Sequence, residues 1–349
     1  MSALRLIAGP TAFKAISEHG LNPELFSQIL AASGGPKWLS IAGLDKYLFS
    51  EFFKDRTTPL YTLGASSGAW RLACFAQEDP LAAYQRLEKF YIGQRYENRP
   101  SPIAVTEQVQ DVIRAILGPK AGQDIVDNRV IRSHFVVCRA RHLNRSNHRL
   151  ALAAGLATTA MTNMFSRRSL GWHFERVVLG HQDPHSPFGA LKDLPTHQAL
   201  LNKQNLSQAL LASGSIPLLL APVKQIQGLA AGHYYDGGLT DYHFDLKLPK
   251  GLTLYPHFYP HMSPGWFDKS LGWRKAKANY HNALILAPSS EHIANLPFGK
   301  IPDREDFSTM SSASRMTYWR EAVKWSESLA DEFAKLVASG NIMQKLERL

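Results

Sequence analysis

Leu60-Tyr61-Thr62-Leu63-Gly64-Ala65-Ser66-Ser67-Gly68-Ala69-Trp70 is the stretch on which the reading of this 349-residue chain turns. Leu60 to Leu63 is apolar and strand-like, a tight turn with one central serine follows, and Ala69 to Ala76 is helix-prone. That is the form of a nucleophile elbow. The turn from strand to helix is so sharp that the residues two before and two after the serine must be small, here Gly64 and Gly68. The hydroxyl of Ser66 is then lifted off the strand end and onto the start of a helix. Gly and Ser are common, so the five-residue pattern carries little alone; the strand before it and the helix after it give it weight. The bland reading is a small-residue turn that packs a helix on a sheet.

Outward from this point, strand and helix signals alternate. On the amino-terminal side, Gln28 to Ala32 reads as a short buried strand and Ser33-Gly34-Gly35-Pro36 as a turn. Lys37 to Phe53 then carries apolar residues at helical spacing. Helices are expected from about Pro80 to Tyr91, Thr106 to Leu117, His148 to Met161 and Leu206 to Leu211. Strands are expected at Val130 to Cys138, Trp172 to Leu179, His233 to Tyr235, Leu252 to Tyr255 and Ala283 to Ala287. One long amphipathic helix is expected over 316–337, packed on the body of the protein. Tyr255 to Asp306, rich in Pro, His and aromatics, is the least regular stretch and reads as a rim or lid. No linker stands out, so 1–349 reads as one domain. Alternating strands and helices predict an α/β fold whose largely parallel sheet is covered on both faces.

Three pieces lie where a serine hydrolase needs them. Ser66 supplies the nucleophile, which needs a base to take its proton. Gly34 and Gly35 sit between a strand and a helix start. Their N–H groups can approach a substrate closely and hold the charge that forms on an attacked carbonyl oxygen. Asp236, in Asp236-Gly237-Gly238, follows an aromatic strand end, and the two glycines allow a tight turn that aims the carboxylate. A desolvated aspartate within hydrogen-bonding reach can accept the serine proton. Lys37, Ser67 and Gly237 flank these groups and are candidate substrate contacts. Each piece alone has a plain structural reading: a glycine turn, a snorkelling surface lysine, an Asp-Gly turn.

Taken together and in this order, the pieces resemble the patatin-like phospholipase family over about Gln28 to Leu239. In that family a glycine-rich turn with a following Arg or Lys forms the oxyanion hole, matched here by Ser33-Gly34-Gly35-Pro36-Lys37. The Gly-x-Ser-x-Gly serine is matched by Ser66, and the Asp-Gly-Gly/Ala aspartate by Asp236. Ala212-Ser213-Gly214-Ser215-Ile216-Pro217 is similar to a run that the family carries between them. The resemblance implies a three-layer α/β/α fold and a Ser–Asp dyad without histidine. It implies a lipid acyl hydrolase that cleaves fatty-acyl esters, phospholipids among them, through an acyl-serine and needs no cofactor or metal. Ser33 and Trp38 stand where the family usually has further glycines. Leu239 to Asp245 replaces the Asn and Pro that many members carry after the aspartate.

Three other readings are open. The order Ser66, Asp236 and then His243, His257, His261 or His281 also suits a Ser-His-Asp esterase. His181, Asp183 and His185, or His257 and His261, have ligand-like spacing, but in loop-like, proline-containing sequence. A lipid-binding protein of the same fold without turnover is the third.

Composition narrows the setting. Apolar residues make up 45% and charged residues 19%, enough for a large core. Two cysteines, Cys74 and Cys138, make no disulfide framework, which fits a reducing compartment. Met1 to Pro10 lacks a secretory pattern, and the apolar runs Leu150 to Met161 and Ala209 to Val223 are too short to span a bilayer. The expected place is cytoplasmic, with peripheral membrane contact. The formal charge is +10. Arg132, Arg139, Arg141, Arg145 and Arg149 crowd one acid-free stretch, a solvated face or an attraction to anionic head groups. No nucleic-acid motif is present.

Overall fold

The structure is a computed structural model and describes residues 2–96, 100–248, 251–276 and 279–349. Ten strands make one sheet: β1 (Leu4–Ala8), β2 (Phe26–Ala31), β3 (Leu60–Ala65), β4 (Ile131–Ala140), β5 (Phe174–Gly180), β6 (Thr196–Leu200), β7 (Tyr234–Asp236), β8 (Leu252–Pro256), β9 (Ala283–Pro288) and β10 (Leu346–Arg348). Their order is β10-β1-β9-β8-β2-β3-β4-β5-β6, with β7 beside β4. The five central strands, β9 to β4, are parallel to one another; β1 and β5 run antiparallel to their inner neighbours. Helices cover the sheet in a three-layer α/β/α arrangement. All six residues of β3 are buried, as a parallel strand sandwiched between helix layers requires.

One detail of the sheet places the site. β4 outruns its parallel neighbour: Ala65, the last residue of β3, pairs with Val136. β5 holds the other edge of β4 as far as Ala140. The edge vacated by β3 is therefore taken by β7, in which Asp236 pairs with Val137. β7 thus lies in line with β3, and the two strand ends meet head to head.

Two expected helices are divided in the structure. The stretch Lys37 to Phe53 is a 3-10 segment (Gly35–Ile41), an α-helix (Ala42–Tyr47) and a π turn (Leu48–Phe52). The element expected over 316–337 is two helices, Ser312–Trp325 and Glu327–Ser339, divided at Ser326. Gly43 N–H donates to Ser326 Oγ at 2.7 Å, and a Cβ on Gly43 would stand 2.6 Å from the Ser326 carbonyl oxygen. This close backbone contact sits at the division between the two late helices, while Gly43 lies within the α-helix Ala42–Tyr47. The Glu327–Ser339 helix seats Phe333 against Tyr47 and Phe52.

The stretch 255–306 contains β9 and a helix at Ser290–Ala294. Sequence patterning missed β1, β6, β10 and the helix Pro10–His19. The basic stretch is partly neutralised: Arg139 and Arg141 both reach Glu175. Among the described residues no helix is long and apolar enough to cross a membrane.

Candidate active site

Ser66 caps the helix Ser67–Phe75 with φ 55° and ψ −130°. Positive φ is unusual for a residue with a side chain, and such strain persists only where the surroundings enforce it. The enforcement is visible. Its N–H donates to Ser213 Oγ at 2.9 Å, and Ser213 Oγ donates in turn to the Val136 carbonyl at 2.8 Å. The flanking glycines are required by space. A Cβ on Gly64 would lie 2.7 Å from the Ala69 backbone, and one on Gly68 only 2.0 Å from the Ala31 carbonyl oxygen.

Ser66 Oγ donates to Asp236 Oδ2 at 2.6 Å, across 170 positions of chain. Asp236 is fixed on its other side by Gly238 N–H, which donates to Oδ1 at 2.7 Å, and its own N–H donates to the Ser215 carbonyl at 2.9 Å. The carboxylate is 5% exposed. Burial pushes its pKa up to about 6; the hydrogen bonds from Ser66 and Gly238, the charge of Arg304 and Ser33 pull the other way. A buried carboxylate held in this way has a greater affinity for a proton than a solvated one.

Residues 213–215 emerge as a scaffold for both side chains. Ser213 holds the Ser66 amide, Ser215 holds the Asp236 amide, and Gly214 lets the Trp70 ring pack where a Cβ would stand 2.5 Å from it. The sequence run Ala212 to Pro217 was the signal for this, but its hydrogen bonds are not legible from spacing.

The glycine turn lies beside this pair. Gly35 has φ +58°, and Gly34 packs so closely on Phe258 that a Cβ would stand 2.5 Å from its ring. The N–H groups of Gly34 and Gly35 have no acceptor among the described residues, so both are free to donate to a bound group. Gly35, Ser66 and Ser67 line a cavity of about 920 Å³. Its walls are largely apolar, including Trp70, Val105, Val109, Ile216 and Leu220. The Ser67 hydroxyl is buried without a partner.

Lys37 and Gly237 are not part of that lining. Lys37 is buried, at 7% exposure, and forms an ion pair with Asp303. Burial draws its pKa down to about 8, with Lys269 and Arg304 adding repulsion. Gly237 packs on β4, where a Cβ would stand 2.3 Å from the Val136 carbonyl oxygen.

The histidines of the competing readings lie elsewhere. His243 is buried, stacks on Tyr242 and accepts the Ser263 N–H at 3.0 Å. His257 accepts the Tyr259 N–H at 3.0 Å, and His261 stacks on Tyr259. His281 is exposed. None of the four lines the cavity or bonds to Ser66 or Asp236. His181 reaches the Val126 carbonyl, and Asp183 accepts from the Tyr61 hydroxyl and the His185 N–H. Among the described residues no group of three or more His, Cys, Asp or Glu is placed to hold a metal ion.

Comparison with known proteins gives one finding. The patatin-like phospholipase family matches residues 32–243, from the end of β2 through the glycine turn, Ser66 and Asp236. No curated protein and no solved structure gives a significant match to this chain. The family span covers more than half of the chain and contains the glycine turn, Ser66 and Asp236, so the protein belongs to the patatin-like phospholipase family of lipid acyl hydrolases.

Proposed function

We propose that this protein is a serine acyl-hydrolase that cleaves fatty-acyl esters with a Ser66–Asp236 dyad. The observation that carries the proposal is the 2.6 Å hydrogen bond from Ser66 Oγ to Asp236 Oδ2 beside a large apolar cavity. The acyl chain lies in that cavity, with its ester carbonyl over Ser66. Ser66 Oγ attacks the carbonyl carbon and its proton passes to Asp236 Oδ2. Negative charge on the carbonyl oxygen is met by the free N–H groups of Gly34 and Gly35. As the tetrahedral intermediate collapses, Asp236 returns the proton to the leaving alcohol and an acyl-serine remains. Water then attacks the acyl-serine with Asp236 as base, and the fatty acid leaves.

Two further features agree with this reading. β1 and β10, from the two ends of the chain, join the sheet that carries Ser66, which supports treating 1–349 as one hydrolase domain. Phe165, Trp172 and Trp273 are 88%, 66% and 71% exposed. Arg274 donates to the Asn163 and Met164 carbonyls, which brings Phe165 and Trp273 to one region, with Arg168 and Lys275 exposed close by in the sequence. Aromatic rings flanked by cations suit peripheral contact with an anionic lipid surface.

The test is turnover of phospholipid, lysolipid and short-chain nitrophenyl esters by wild type, Ser66→Ala and Asp236→Asn. Ser66→Ala is expected to abolish turnover. Asp236→Asn is expected to lose about a hundred- to ten-thousandfold in kcat. Full activity in Asp236→Asn would overturn the dyad. Failure of the wild type to turn over any ester or to label with a fluorophosphonate would leave a lipid-binding protein.

A further inference from the structure

The motif lysine is turned away from the cavity, and another cation stands in it. Lys37, which follows the glycine turn, is bound to Asp303. Arg304, the next residue, lines the cavity together with Gly35 and Ser66. Its Nη2 and Nε lie 3.8 and 4.0 Å from where a Cβ on Gly35 would stand. Arg304 comes from outside the family-matched span, and no motif in the sequence marks it.

Among the described residues no acid compensates its charge. Among the described residues the Arg304 guanidinium makes no ion pair and no hydrogen bond; its backbone carbonyl accepts the Phe307 N–H at 3.2 Å. The acids around it are engaged or out of reach: Asp303 is held by Lys37, and Asp306 by Lys300 and the Trp319 indole. Glu305 also lines the cavity but is exposed and forms no ion pair with Arg304. The field of Arg304 is felt across the site, since it opposes protonation of Asp236 and raises the cost of charging Lys37 and Lys269. A half-buried guanidinium whose donors meet no acceptor among the described residues, beside apolar walls, suits an anionic group of a bound molecule. Its planar fork matches a phosphate or carboxylate.

We infer that Arg304 is an anion subsite of the cavity and selects acyl esters that carry a phosphate a few bonds from the scissile carbonyl. The inference rests on the hydrolase reading above and adds the residue that reads the substrate's charge. The phosphate sits between Arg304 and the turn at Gly35, which sets the ester over Ser66. Lys37, kept by Asp303, takes no part in this contact.

The test compares hexanoylglycerol with its phosphate monoester, which share the acyl chain and the scissile bond and differ only in charge. The readout is the ratio of their kcat/KM values in wild type, Arg304→Gln and Arg304→Lys. Wild type is expected to favour the phosphate ester by at least about tenfold, the effect of a charge-assisted contact. Arg304→Gln is expected to lower the ratio about ten- to a hundredfold, mainly through KM for the phosphate ester, and Arg304→Lys to restore part of it. An unchanged ratio in Arg304→Gln overturns the inference. So do equal losses on both esters, which would assign the guanidinium to the reacting oxygen rather than to the substrate's phosphate. Turnover of neither ester by wild type would instead bring down the hydrolase reading, and this inference with it.

Discussion

Ser66 and Asp236 each occupy a state that folding alone would avoid. Ser66 holds a positive φ, a strain of about 1–3 kcal/mol, and Asp236 holds a buried carboxylate whose pKa is raised to about 6. The second has a consequence for stability. A carboxyl whose pKa is higher in the folded than in the unfolded chain contributes fully below the unfolded value of about 3.9, and that contribution is lost as pH rises through about 6. At neutral pH the charged Asp236 therefore costs roughly 2–3 kcal/mol. Asp236→Asn removes that cost, and its amide can still serve Ser66 and Gly238. It is expected to unfold at higher urea concentration than wild type at pH 7.5, with the advantage gone near pH 4. A variant less stable than wild type at both pH values would show that burial of Asp236 is not the controlling cost.

At the scale of elements, the site depends on two close approaches. The helix Ser67–Phe75 lies so near β2 that Gly68 touches the Ala31 carbonyl. The helix is pinned by Arg71, whose fork meets Asp45 at 2.6 and 2.8 Å while the Tyr84 hydroxyl donates to the same carboxylate. Neither side of the Gly68 contact can yield, because both are backbone. Gly68→Ala is expected to lower unfolding free energy by at least about 1–3 kcal/mol and to reduce kcat by displacing Ser66, as read by urea denaturation and ester turnover. Unchanged stability would mean that the helix can slide.

Elements of this kind were unevenly legible. The strand at 60–63, the helix after Ser66 and the glycine turn follow from local pattern, because buried parallel strands are apolar runs and turns need small residues. β6 and β10 escaped because edge strands lack such a run; β6 is half exposed and β10 has three residues. The division at Ser326 escaped because it sits at a contact with Gly43, 283 positions away in the chain. Of the site, Ser66, Asp236, Gly34 and Gly35 were marked by motif. The run with Ser213 and Ser215 was marked, but their hydrogen bonds to the two amides were not, and Arg304 was not marked at all, since a cation in a cavity leaves no spacing to read.

At the scale of the whole molecule, the cavity is an assembly of distant segments. Its lining comes from the glycine turn, the nucleophile helix, residues 91–96, Pro100, the helix Pro102–Leu117, residues 214–220 and residues 304–312. The last of these begins at the end of the expected rim, 255–306, of which Arg304 and Glu305 alone reach the lining among the described residues, and continues past it. Acyl selectivity should therefore respond to changes far from Ser66. Val109 is buried on the Pro102–Leu117 helix and faces the cavity. Val109→Trp is expected to shift preference from octanoyl to butyryl nitrophenyl esters by about tenfold in relative kcat/KM, the scale of a few methylenes' burial. Equal effects on both chain lengths would place the acyl chain elsewhere.

The central claim is that a carboxylate, and no histidine, activates Ser66. The most direct measurement is the rate at which a fluorophosphonate modifies Ser66 at pH values on both sides of the Asp236 value of about 6, from roughly two units below it to two above, in wild type and in Asp236→Asn. The account predicts that the wild-type rate rises with pH through about 6 and is level above it. It predicts that Asp236→Asn is at least about a hundredfold slower and has lost that rise. Labelling of Asp236→Asn at the wild-type rate, with the rise intact, would contradict it.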